Sequence, residues 1–389
     1  MYERRRLNMA GFYSDFDFAA NRIEHEFRKA EKQKDFINLA GSNPTIEGLI
    51  FPPGILKKAA EPYWSKRRYD PDPKGLASAR QVISDYYMGR VPAIELAADN
   101  IFITASTSES YGLLFALLAD PGDNLLAPKV SYPLFEHLAA IHHVELRTYD
   151  MDENNGWQIK ADSLLSGPDD RTRGVIVVSP HNPTGMVVKE AIPALRSLGL
   201  PVICDEVFTE FPCGVTNIPP FGVLHPELPV FHLNGISKMF GLPDLKLGWI
   251  ALSGAGVKDY EKRLELLNDT YLGANYLAQS MLPVIFAEGM GFVEQMRTRF
   301  RSGIDLALAL LSKNHGIKVC RPDGGYYLFP EIKTREDEEE LVLRLLKSHG
   351  ILVYPGYFYD CEGKTHIMIS CLTENWKLIE GLERIIAAI

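Results

Sequence analysis

Three times between residues 174 and 238, a short apolar run ends on a side chain that can do chemistry. Residues 174–178 lead into Ser-Pro-His-Asn-Pro-Thr-Gly (179–185), 202–204 into Asp205-Glu206, and 231–233 into Asn-Gly-Ile-Ser-Lys (234–238). Runs this short and this continuously hydrophobic read as strands buried on both faces, the habit of a mostly parallel sheet covered by helices. The carboxyl ends of strands in such an open sheet share one edge, where ligands bind. An amide (Asn182), a carboxylate (Asp205) and an amine (Lys238) are therefore expected to meet in one pocket. Taken singly, each has a plainer explanation: a turn, a helix N-cap and a surface lysine. Their order on successive strand ends argues against all three plain explanations at once.

The surroundings fit that frame. Ile101–Thr104 reads as a strand followed by a helix carrying Tyr111, Leu113, Leu114, Leu117 and Leu118, and residues 124–127, 144–149 and 247–252 are further strand candidates. After Gly273 the texture changes to a long helical stretch, Tyr276–Leu311, then short strands near 317–320, 326–329, 352–354 and 366–370. Helices are expected over 337–348 and Asn375–Ala388. At 389 residues two domains are expected: a large one over 46–272, and a smaller α+β one formed by 1–45 with 273–389.

Composition removes several classes of function. A net charge of −9 weighs against general nucleic-acid binding. The five cysteines show no C-x-x-C spacing, which suits reduced thiols in a cytosolic enzyme. Residues 1–15 include Arg4, Arg5 and Arg6 but no following apolar run of signal length, and no uninterrupted run reaches the roughly 18–20 apolar residues of a bilayer span. A soluble, cytoplasmic protein is expected. Gly254-Ala255-Gly256 opens no G-x-G-x-x-G, no Walker-type motif occurs, and no metal site is expected.

Read together, Asn182-Pro183-Thr184-Gly185, Asp205-Glu206-Val207-Phe208, Ser237-Lys238-Met239-Phe240-Gly241-Leu242-Pro243, Lys246-Leu247-Gly248-Trp249 and Gly324-Gly325-Tyr326-Tyr327 resemble the fold-type I, class I/II aminotransferases that use pyridoxal 5′-phosphate. Tyr69 to Gly75 is similar to that family's Y-x-x-x-x-x-G stretch, and the likeness covers nearly the whole chain. It implies an aspartate aminotransferase-like α/β fold, with a mostly parallel seven-stranded sheet and a smaller α+β domain. It also implies transfer of an amino group between an amino acid or other amine and a 2-oxo acid, through a Schiff base on Lys238.

The same resemblance distributes roles. Lys238 would hold the cofactor and move the proton. Asp205 would pair with the ring nitrogen, so that the ring can act as an electron sink. Asn182 would bond the phenolic oxygen, and Tyr132 would stack on the ring. Ser106, Thr107 and Ser108 open a helix whose amides favour a phosphate. Ser237 and Lys246 belong to the same cofactor-contacting set, with Lys246 standing where relatives have arginine and Gly235 where many have serine. Lysine keeps the charge but loses the bidentate fork. Tyr69 would reach the cofactor of a partner subunit, making the active unit a homodimer with shared sites.

Two positions depart from the pattern. Phe208 stands where relatives have a tyrosine that bonds the phenolic oxygen, so the lysine-bound cofactor is expected to titrate at higher pH than in those relatives. Met368, in His366-Ile367-Met368-Ile369-Ser370, replaces the arginine that clamps the substrate α-carboxylate. Three explanations stay open: the carboxylate is held by His366, Lys364 or backbone near Ser42-Asn43-Pro44; the donor lacks it; or the reaction is a lyase, decarboxylase or racemase reaction on the same scaffold. A transcription regulator with this domain would need a fused DNA-binding module, for which the roughly 40 residues before the first family motif leave no room.

Overall fold

A computed structural model describes residues 19–33 and 36–389; the Arg4, Arg5, Arg6 segment lies outside them. The centre is a seven-stranded sheet. Its strands are β1 (Ile101–Thr104), β2 (Asn124–Pro128), β3 (Glu145–Tyr149), β4 (Thr172–Val178), β5 (Val202–Asp205), β6 (Val230–Gly235) and β7 (Gly248–Ser253). Across the sheet the order is β1-β7-β6-β5-β4-β2-β3. Every residue of β1, β2, β5, β6 and β7 is buried, because helices cover both faces.

Five strands, from β6 to β3, pair parallel, while β7 is antiparallel to both β6 and β1. Six strands therefore point one way and β7 alone points back. Hydrophobic runs carry no signal for direction, so residues 247–252 looked like the other strands in sequence. The reversal matters: residues that precede β7 lie at the edge where the other six strands end.

The long helix Tyr276–Leu311 is as expected from the sequence. By length and composition it could cross a membrane, but it contacts the helices Pro53–Lys66, Ala77–Met88 and Asn375–Ala388, and Leu282, Ile285, Val293, Ile304, Ala307 and Leu311 are fully buried. Later strands are short: Tyr327–Leu328 and Tyr354–Pro355 flank Ile367–Ser370 in a three-stranded antiparallel sheet. Near the N-terminus, Ile37–Asn38 pairs parallel with Ile351–Leu352, joining chain segments more than 300 residues apart.

Candidate active site

The helix Thr107–Leu118 starts where β1 stops. Ser106 caps it, its hydroxyl accepting from the Glu109 amide at 3.1 Å, and the Glu109 carboxylate returns to the Ala105 amide at 2.5 Å. This Ser-x-x-Glu box sets the helix entry and presents Ser106, Thr107 and Ser108 at its positive end. Three strands further along the sheet, β5 ends on Asp205. Its Oδ1 accepts from the Val207 amide at 3.1 Å and its Oδ2 from the Tyr111 hydroxyl at 3.1 Å. The adjoining Glu206 turns the other way, bonding His232 Nδ1 at 2.9 Å, and His232 Nε2 meets Ser253 Oγ at 2.8 Å. That buried pair ties β5, β6 and β7 together behind the turn.

β6 runs directly into the one-turn helix Ile236–Met239, which carries Ser237 and Lys238. Lys246 sits just before β7, and the reversed direction of that strand brings it back to the same edge. Gly248 packs against the backbone of Ser106 and Thr107, where a Cβ would lie 3.1 Å from each. Gly235 is crowded too: a Cβ there would lie 2.9 Å from the Leu247 carbonyl oxygen. A serine has no room at this position unless backbone moves.

These elements enclose a cavity of about 250 Å³. It is lined by Ser106, Thr107, Ser108, Tyr132, Asn182, Asp205, Phe208, Ser237, Lys238 and Lys246, so ten of the eleven residues selected from sequence meet in one place. Tyr69 is the exception. It is 69% exposed, with its ring 6.0 Å from that of Tyr276 at the protein surface. The lining also holds residues that sequence reasoning did not select as site residues, among them Phe135 and Tyr327. Tyr111 was visible only as part of an apolar helical pattern, and its bond to Asp205 required the tertiary fold.

Burial pushes the Asp205 carboxyl up to about 6, against the opposing pull of the Val207 amide and the Tyr111 hydroxyl. Asn182 Oδ1 is buried without a hydrogen-bond partner. A carboxyl short of positive charge and an amide short of a partner face the same space as two lysines.

Two carboxylate anchors suggested by sequence do not reach this space. His366 is buried, stacked on Phe329 with centroids 4.9 Å apart, and burial lowers its basicity. Lys364 is engaged with Glu153 at 2.7 Å and Glu331 at 3.1 Å. Met368 is 2% exposed and pairs across the strand with Tyr354. Of the suggested anchors, only the segment at Ser42 borders the cavity.

The profile of the family described as "Aminotransferase class I and II" matches residues 34–385. The chain belongs to that family. As such it is an aminotransferase, with the α/β fold and family membership expected from its motifs. It is 28% identical over 335 residues to nicotianamine aminotransferase 1 of Oryza sativa subsp. japonica, covering 80% of this chain and 66% of that one. Glutamate-pyruvate aminotransferase AlaA of Escherichia coli (strain K12) is 27% identical over 367 residues, covering 91% and 88%. Among solved structures, an alanine aminotransferase from Pyrococcus furiosus superposes with a TM-score of 0.89 at 24% identity, over 97% of this aminotransferase and 98% of that chain. That last likeness speaks to fold alone.

Proposed function

We propose that this aminotransferase works with pyridoxal 5′-phosphate held through Lys238, exchanging an amino group between an amino acid or other amine and a 2-oxo acid. The observation that carries the reading is the convergence of Lys238, Asp205, Asn182, Ser106–108 and Lys246 on one cavity. The donor set fits the group. Asp205, buried and oriented by two donors, suits a cationic ring nitrogen. Asn182 lines the same cavity, and its side-chain NH2 is a donor suited to the ring's phenolic oxygen. The capped helix end with Ser106, Thr107 and Ser108, helped by Lys246, suits a phosphate dianion. Tyr132, 44% exposed and lining the cavity, suits stacking on the ring face. When bound, the cofactor supplies an electron sink for the carbon that loses its proton.

The chain's own contribution is positional. Lys238 is the amine of the lining that holds the cofactor and then carries the proton, while Ser237 beside it completes the wall. Asp205 keeps the ring nitrogen protonated. For the homodimer, the support is an aromatic cluster at the surface: Trp64 at 58% and Tyr69 at 69% exposed, linked by ring contacts through Tyr63 and Tyr276. Exposed aromatic clusters of this kind mark protein contacts.

Incubation of purified protein with pyridoxal phosphate tests the reading. A yellow protein is expected, bleached by borohydride with the reduced adduct on Lys238, and colourless in Lys238→Ala. A wild-type protein that stays colourless overturns it. Donors with and without an α-carboxylate, compared by loss of the yellow form, then define the substrate end.

A further inference from the structure

Position 208 has no hydroxyl, yet a phenol stands beside it. Tyr327 opens the short strand Tyr327–Leu328 and is paired with Ser370 of Ile367–Ser370. Its ring is 6% exposed and stands edge-on to Phe208, with centroids 5.7 Å apart. It lines the same cavity as Lys238, Asp205 and Asn182.

The neighbouring phenol Tyr326 also stands edge-on to Phe208, with centroids 5.1 Å apart, and its hydroxyl interacts with that of Tyr327. Tyr326 packs among Phe300, at 4.8 Å between centroids, and Phe211, at 6.1 Å, and is not part of the cavity lining. Of the two consecutive tyrosines, Tyr327 is the one at the chemistry. Burial holds its hydroxyl well above the ordinary phenol range, with Tyr326 adding to the rise and the Lys238 charge opposing it. The group therefore stays protonated at neutral pH and can serve as a hydrogen-bond donor.

We infer that Tyr327 supplies, from the adjoining strand Tyr327–Leu328, the phenol donor to the cofactor's phenolic oxygen that Phe208 lacks. This rests on the pyridoxal phosphate reading. The donor has moved from the turn that carries Asp205 to the sheet that carries Met368. The group that tunes the cofactor is then hydrogen-bonded, through its backbone, to the strand at the substrate end. Tuning of the cofactor and occupation of the substrate end would share one small sheet.

The test is the pH midpoint of the visible absorbance of the cofactor-loaded protein. Tyr327→Phe keeps the ring and its packing and removes only the hydroxyl. Losing a donor to an oxygen that carries charge should raise the midpoint by about one unit or more. Adding Phe208→Tyr to that variant should return the midpoint toward the wild-type value. Phe208→Tyr should also lower the midpoint more in the Tyr327→Phe background than in the wild type, because the two hydroxyls serve one acceptor. A cofactor-loaded Tyr327→Phe with an unchanged midpoint overturns the inference, as does a shift produced by Tyr132→Phe in its place. If the wild type acquires no visible absorbance at all, the cofactor reading fails first and this inference falls with it. A yellow wild type with an insensitive Tyr327→Phe refutes the inference alone.

Discussion

The Tyr111 hydroxyl reaches across 3.1 Å to Oδ2 of Asp205, from the helix that begins at the end of β1 to the last residue of β5. With the Val207 amide on Oδ1, it leaves the carboxylate one orientation, preset before any ligand arrives. Such preorganisation spares the site from reorganising on binding.

Tyr111→Phe should therefore weaken cofactor binding while leaving the fold intact, since the ring still packs against Phe135, 4.8 Å away between centroids. A lost hydrogen bond of this kind is worth about 1 kcal/mol, so the Kd for pyridoxal phosphate should rise roughly five-fold. Absorbance titration of the cofactor-free protein measures it; an unchanged Kd would show that the Tyr111 hydroxyl does not contribute to cofactor binding.

Asp205 should give the cofactor-free protein a pH signature. Its carboxyl sits at about 6 in the fold against an ordinary 3.8, so the folded chain holds this proton more tightly than the unfolded chain. The associated stability is full below about pH 4 and is lost as pH rises through about 6, a change of about 3 kcal/mol. Urea unfolding of the cofactor-free wild type and Asp205→Asn at pH 4.5 and 6.5 isolates it. The wild type should lose stability over that interval relative to the variant, and parallel behaviour of the two would refute the assignment.

Phe208→Tyr adds a hydroxyl to the wall of the cavity. The midpoint of the lysine-bound chromophore should fall, because an added donor favours the phenolate. Spectrophotometric titration decides it, and no shift would mean that position 208 does not face the phenolic oxygen.

Gly235→Ser should harm this protein. The new Cβ would meet the Leu247 carbonyl at 2.9 Å and the Gly248 Cα at 3.1 Å, both backbone atoms with little freedom to yield. Overpacking of that kind costs about 1–3 kcal/mol. Thermal unfolding should show a lower Tm without tighter cofactor binding; a stable variant with improved affinity would contradict the packing account.

The position of Lys246 shows how sequence and tertiary structure divided the problem. Its likeness to a phosphate-binding arginine was legible from its spacing after Lys238. The means by which it arrives at the cavity was not, because β7 runs against its neighbours and alternation of apolar residues is identical in either direction. Met368 shows the reverse limit. The missing arginine was plain in the sequence, whereas only the structure shows that His366 and Lys364 are occupied elsewhere.

By itself, then, the sequence determined the family, the strands of the central sheet, the long helix Tyr276–Leu311, and ten residues that share one cavity, because residue types and hydrophobic period are local properties written along the chain. Tertiary structure alone decided which strand was reversed, that Tyr111 orients Asp205, that Gly235 admits no side chain, and that Tyr327 stands beside Phe208. Each of these is a meeting between residues far apart in the chain. Such meetings are set by strand direction, register and packing, which no local pattern records.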